Sequence, residues 1–407
     1  MTVTEHIATS PISHLTREDI EEIGRRLDAI RAEVMESRGA ADAAYIRRII
    51  TIQRNLELGS RAVLLGSILP PLWLLGTAGL SVSKILSNME IGHNILHGQW
   101  DWMRDPKIHS STWEWDNAST AESWKHSHNQ VHHTYTNIIG KDNDLGYGIM
   151  RVDDGQKWYP MYLVQPLLNF VNMLVFEYGI AAYDLELGRN LRIPKEQRSE
   201  EFREGVRQTL AKMRTQALRD YVLHPLLSGP SAVPTLLANV TANVVRNVWT
   251  HSVIMCGHFP EGVAAYDVAE LPTEETRGDW YVRQMLGSAN ISGSKLMHLM
   301  TGNLSFQIEH HLWPDLPSNR YAEVAPKVRE LFEQYALDYH SASLPAQVYS
   351  AWHKIVRLSL PNNWMATTTK KNLPSQLKLL YGMARGGRAT RKKLQAKLDA
   401  KAAQARL

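Results

Sequence analysis

The 407-residue sequence contains a single cysteine, Cys256, which excludes an intramolecular disulfide and any thiolate cluster for zinc or iron–sulfur. Its opening stretch, MTVTEHIATSPISHL, lacks a basic region followed by an apolar one. No cleavable signal peptide is therefore expected, and the N-terminus is expected on the cytoplasmic side. There are no internal repeats. The net charge is only +4, and no nucleic-acid partner is expected. One local exception is the stretch from Arg385 to Leu407, where eight Lys/Arg face the single Asp399, an excess large enough to feel an anionic membrane surface.

What is present is unevenly spread. Hydrophobic residues make up 44% of the chain, but they gather in runs, so the mean hydropathy of -0.30 averages two materials. Residues 16–56 read as soluble helix, with Thr16 able to cap a start and Ile20, Ile23, Leu27 and Ile30 returning at helical spacing. From Leu58 to Gly98 the chain turns apolar for about twice the ~20 residues one span needs, with Gly76-Thr77-Ala78-Gly79 expected as a hairpin turn. Pro70-Pro71, Lys84 and Glu90 are costly in lipid and should face the protein interior or the interface. Residues 99–157 are polar. Their Trp100, Trp102, Trp113, Trp115 and Trp124 suit a headgroup-level belt or ordinary packing in a cap. Two further apolar runs follow, Pro160 to Tyr183 and Tyr221 to about His258, the second broken at Ser228-Gly229-Pro230-Ser231. Between them, residues 184–220 carry nine basic and seven acidic side chains. The expected fold is an all-α integral membrane protein with about four transmembrane helices. Its divisions are 1–57 as cytoplasmic helices, 58–330 as the membrane domain with a helical cap, and 331–407 as a cytoplasmic segment with a basic tail.

Imidazoles carry the chemistry. His93 and His97 close the second expected span at i, i+4 spacing, so both can converge on one cation. In WKHSHNQVHHTYTN, His128 and His132 share a helical face while His133 points about 100 degrees away, which lets neighbours address two different metals. Gln307-Ile308-Glu309-His310-His311 repeats the paired arrangement with an amide three residues earlier. His258 ends the last apolar run, preceded by Asn247 and His251. Crowded histidines repel one another unless a metal holds them neutral. A zinc site closes with four ligands, and this set is too large for one ion. An all-nitrogen shell shared by two metals beside a membrane points to iron handling dioxygen. The absence of carboxylates from the clusters separates it from the Glu-x-x-His di-iron bundles.

At 93–97, 128–133 and 307–311 these motifs resemble, in order and spacing, the three histidine boxes of the membrane fatty acid desaturases. The surrounding HGQWDWMRDP, HHTYTN, KDNDLGYG, CGHFP and QIEHHLWPDLPSNRY look like the bacterial acyl-CoA desaturases of actinobacterial type, and the resemblance covers roughly residues 45–330. It implies four spans anchoring a cytoplasmic cap that holds a non-haem di-iron centre, with a narrow tunnel for the acyl chain. His93, His97, His128, His132, His133, His258, Gln307, His310 and His311 would be the metal ligands. Gln307 departs from the HxxHH form of animal stearoyl-type enzymes and agrees with the QxxHH form of front-end and several bacterial members. For the ligand from the last span, His258 in CGHFP matches the front-end pattern, whereas Asn247 and His251 would satisfy the animal N-x-x-x-H pattern.

The implied reaction uses dioxygen and two external electrons to remove two hydrogens from adjacent methylenes of a long-chain acyl-CoA or other acyl lipid, leaving a cis double bond. Shape must do the selecting, because a hydrocarbon has no polar handle. Glu90, Asp142, Asp144 and Glu309 are candidates to orient ligating imidazoles. Arg104, Lys107, Lys125 and Lys141 are candidates for the phosphates of coenzyme A. No His-Pro-Gly-Gly haem motif of a fused cytochrome b5 is present, so electrons are expected from a separate reductase, ferredoxin-, rubredoxin- or cytochrome-like protein. Expected localisation is the cell membrane, multi-pass, in contact with membrane lipids, with the active site on the cytoplasmic side. The same centre would also serve a membrane hydroxylase or alkane monooxygenase; a haem or electron-carrier protein with axial histidines is the alternative from another class.

Overall fold

The computed structural model describes residues 12–142 and 144–406; the opening residues 1–11, read above for a signal peptide, lie outside them. The chain is built from helices, with one two-stranded parallel sheet pairing β1 (Asn290–Ser292) with β2 (Ser341–Ser343). Helix α1 (Arg17–Glu36) starts at a capping box in which the Thr16 hydroxyl accepts from Asp19 N–H and the Asp19 carboxylate answers the Thr16 N–H. It ends at Ser37, and α2 (Ala40–Leu64) runs from there without interruption past residue 58.

The expected hairpin turn at 76–79 is a correction. The chain reverses at residues 65–69, and α3 (Pro70–Leu86) carries Gly76 and Gly79 in its interior. These glycines are there for packing. A Cβ on Gly76 would stand 2.6 Å from the Leu64 side chain, and one on Gly79 would stand 2.3 Å from the Ser60 hydroxyl, so their bareness lets α2 and α3 close up. Pro70 and Pro71 fall in the first turn of α3, where a missing N–H costs nothing.

The apolar run from Pro160 is bent. A short 3₁₀ turn leads into α4 (Gln165–Leu174), and α5 (Phe176–Asp184) leaves it at 102°. Asn247 holds the bend, its carboxamide donating to Leu174 O at 3.1 Å and accepting from Glu177 N–H at 3.4 Å. Helix α6 (Glu200–Ala217) continues through a π-helical turn to Leu227, reverses at 228–231, and returns as α7 (Ala232–His258). That reversal makes the last apolar region a hairpin, closed by Asn239 donating to Asp220 O at 2.6 Å and Asn243 to the Tyr221 hydroxyl at 2.8 Å. Among the described residues no single helix is long and apolar enough to cross a membrane, although the bent pair α4–α5 passes that test jointly.

A buried ionic girdle ties the long helices together. Lys84 on α3 meets Asp220 at 2.8 Å and Asp116 at 3.1 Å; Arg61 on α2 reaches Asp220 at 3.0 Å; Arg219 reaches Asp116 at 2.8 Å; and Arg246 on α7 pairs with Glu177 on α5. Beyond α7, α8 (Arg277–Leu286), α9 (Gln307–Leu312) and α10 (Tyr321–Gln334) pack with α1 around Leu27, Tyr281, Trp313, Val328 and Phe332. Then come α11 (Leu344–Leu358) and a terminal pair, α12 (Leu373–Arg385) and α13 (Arg388–Arg406).

Candidate metal centre

Two of the three histidine segments are π-helical rather than α-helical: Ser87–His93, which prolongs α3, and Lys125–His132. A π turn holds an extra residue and widens the spacing along one face, a distortion that recurs at functional sites. The third segment is the short helix α9, which presents Gln307, His310 and His311 at i, i+3 and i+4.

These segments and the end of α7 bring the rings together in two groups. His93, His97, His128 and His310 form one, with ring centroids 4.6 Å apart for His93–His97, 5.0 Å for His93–His310 and 5.2 Å for His97–His128. His132, His258 and His311 form the other, at 4.7–5.0 Å. His258 Nε2 lies 3.2 Å from His311 Nε2, the spacing of two neighbouring ligands on one ion with bonds of about 2.1 Å. His133 sits between the groups, 4.8 Å from His97 and 4.5 Å from His311. The division thus falls between His128 and His132, whose rings nonetheless stack at 5.0 Å, and not only between the adjacent His132 and His133. The Gln307 carboxamide comes within 3.0 Å of His258 Nε2. Gly257 makes room for it, since a Cβ there would meet Gln307 Cγ at 2.8 Å.

Five of the rings, His93, His128, His132, His310 and His311, are held from behind at Nδ1, whereas Nδ1 of His133 and of His258 is buried without a partner. His132 meets Asp142 at 3.0 Å and His128 meets Asp144 at 3.1 Å. His311 donates to Gln284 Oε1 at 3.1 Å, an amide oriented by its own donation to His133 O. His310 contacts the Tyr321 hydroxyl at 3.1 Å; that hydroxyl donates to Trp313 O, so toward His310 it accepts. Gln99 donates both to the Tyr321 hydroxyl and to Asn94 Oδ1, and Asn94 stands 3.3 Å from His93 Nδ1, so one amide links the settings of His93 and His310. With Nδ1 occupied, Nε2 is left facing the interior. The Nε2 atoms of His97, His128, His132, His133 and His310 are buried without a hydrogen-bond partner. Five orphaned ring nitrogens converging on two points would cost several kcal/mol as they stand, and metal ions satisfy all of them. The residues fit a two-metal centre.

Charge agrees. Burial first, and then neighbouring imidazoles, push His128, His133, His310 and His311 well below the ordinary imidazole value, so their neutral, ligand-competent form is favoured. At His132 burial is outweighed by Asp142 and Asp144, which raise it to about 9. Asp144 is a carboxylate within reach of His128 and His132, but it addresses their Nδ1 side and so orients them.

Of the four expected orienting acids, Asp142 and Asp144 touch histidines and two do not. Glu90 accepts from Tyr45, Asn303 and Ser318, while Glu309 accepts from Asn290 and Tyr339. His251 is outside both groups, with Nε2 at 2.9 Å from Asn169 Oδ1, and Asn247 serves the α4–α5 bend. Sequence reasoning missed Tyr321, Gln284, Gln99 and Asn94. It left the tryptophans open. Trp100, Trp115 and Trp124 are buried, and Trp124 stacks on His128 at 4.5 Å. A small cleft of about 40 Å³ is lined by His93, His128, His258 and Gln307 together with apolar side chains such as Met89, Trp115, Phe176, Ile180, Ile254 and Leu304, and by Asp144 and Asp184.

Fold and site together define a helical protein with buried histidine clusters compatible with a metal site, four of whose side chains line a cleft. The model of the fatty acid desaturase family matches residues 68–343. The NADPH-dependent stearoyl-CoA 9-desaturase of Mycobacterium tuberculosis is 46% identical over 357 residues, covering 87% of this chain and 83% of that one. More distant relatives include the sn-1 linoleoyl-lipid 6-desaturase of a Synechocystis species, 22% identical over 78% of this chain and 88% of its own, and fatty acid desaturase 3 of Bos taurus, 27% identical over 54% and 46%. No solved structure matches. The chain belongs to the fatty acid desaturase family.

Proposed function

We propose that the protein places a cis double bond in the acyl chain of a long-chain acyl-CoA, with stearoyl-CoA as the first candidate from its mycobacterial relative. It is an oxidoreductase, an acyl-CoA desaturase by kinship. The observation that carries the finer reading is the set of buried, unpartnered Nε2 atoms in a histidine cluster that the cleft adjoins at His93, His128 and His258. His93, His97, His128 and His310 would hold one iron and His132, His258 and His311 the other, with His133 and Gln307 the remaining candidate ligands. Bound there, the irons would supply dioxygen activation and the removal of two hydrogens. The chain's own part is geometric. Asp142, Asp144, Gln284 and Tyr321 fix the imidazoles, and Trp115, Phe176, Ile180 and Leu304 strip water from the acyl chain and hold adjacent methylenes at the centre. Electrons come from a separate NADPH-fed reductase, in keeping with the relative's name.

We also propose that the helices lie in a bilayer with the histidine end on the cytoplasmic side. Supporting this, many large apolar side chains stand exposed on the helices, among them Leu75 at 63%, Leu167 at 62% and Leu226 at 69%. Expression in a host without its own desaturase, followed by mapping of the double bond in its lipids, tests the function. A 9-alkene formed only with dioxygen is expected. Product made under strict anaerobiosis, or an alcohol in its place, refutes it.

A further inference from the structure

The terminal pair α12–α13 is outside the catalytic reading, yet it has a surface of its own. Its inner side is a closed core in which Trp158, Trp364, Met383 and Leu398 are buried. On α12 the residues Leu373, Leu377 and Tyr381 recur every four positions, so they form one stripe, and they point away from that core; Leu377 is 52% and Tyr381 61% exposed. Lys378 and Arg385 flank the stripe on the same helix and are exposed. Helix α13 adds exposed Arg388, Lys392, Lys393, Lys397 and Lys401, and its one acid, Asp399, is engaged with Asn363 and Gln395.

The position of this pair says what covers it. Arg391 lies over the Tyr159 ring at 5.8 Å, and Tyr162 packs into the same core, so the pair is joined to the first residues of the exposed apolar run that continues through Met161, Val164 and Leu167. Resting on the membrane placement proposed above, we infer that α12–α13 is an interfacial docking element for anionic lipid, with Leu373, Leu377 and Tyr381 entering the acyl layer and the cations of α13 meeting headgroup phosphates. A basic helix with an apolar stripe binds in this way, each surface cation strengthening binding roughly fivefold at low salt.

The test uses the full chain in nanodiscs, with a polarity-sensitive fluorophore on Leu377→Cys; native Cys256 is buried and stays unlabelled. Emission should shift to the blue and be quenched by acyl-brominated lipid when one third of the lipid is phosphatidylglycerol. Pure phosphatidylcholine should give a weaker response. Lys392→Glu, Lys393→Glu and Lys397→Glu together should abolish the difference between the two lipids. A label that stays water-like in both discs overturns the inference, as does a shift that tracks protein concentration, which would mean that a second copy covers the stripe. A control label at Leu167→Cys separates the two readings. If it too is unquenched, the membrane placement has failed; if it alone is quenched, only the docking element has.

Discussion

Two of the buried polar clusters among the described residues are opposites. In the ionic girdle each charge has found its counter-charge: Lys84 lies between Asp220 and Asp116, and Arg246 against Glu177. At the histidine end, five Nε2 atoms have no partner, although His128, His132, His310 and His311 are held from behind at Nδ1. A charge-paired cluster is scaffold, and a rigidly oriented group of unpartnered ring nitrogens fits a ligand. Burial does not tell the two apart. The balance of donors and acceptors does.

The largest effect expected from breaking this contrast is at the site. His258→Ala should strip the metal from the second group and abolish desaturation while the helical content is retained, as metal analysis beside circular dichroism will read. Next is the scaffold. Lys84→Met leaves Asp220 and Asp116 short of a cation and should cost about 3–5 kcal/mol in denaturant unfolding, with metal per folded protein unchanged. Tyr321→Phe removes the acceptor behind His310. It should weaken metal retention against a chelator by roughly 10–100-fold with little loss of stability. The smallest effect belongs to His251→Leu, which breaks only the contact with Asn169 and should cost about 1–2 kcal/mol with full metal content. Metal loss in that variant would return the last-helix ligand to the N-x-x-x-H alternative.

The clustering of the histidines is legible in the sequence because each segment is local, with spacings of three to five residues; their division into groups is not, since π-helical turns at Ser87–His93 and Lys125–His132 put His128 and His132 in different all-histidine groups. The residues behind them are not legible either, since Tyr321, Gln284 and Gln99 are ordinary side chains whose role comes only from tertiary placement. Gly76 and Gly79 mislead in a different way. Glycine marks a turn and a close helix contact alike, and only the presence of Leu64 and Ser60 across the gap decides between them. Run length likewise predicts an apolar stretch from 160 to 183 but not its bend, which depends on the distant carboxamide of Asn247 and on Arg246 drawing Glu177 inward. The break at Ser228-Gly229-Pro230-Ser231 is visible in the sequence, and the chain reverses there.

The order in which the girdle's members leave the ribosome sets a problem for biogenesis. Asp116 follows Lys84 by 32 residues and Asp220 by 136, so until the second hairpin is made the Lys84 ammonium has Asp116 alone to meet. The two hairpins therefore complete each other's charge balance, and neither half of the girdle is neutral by itself.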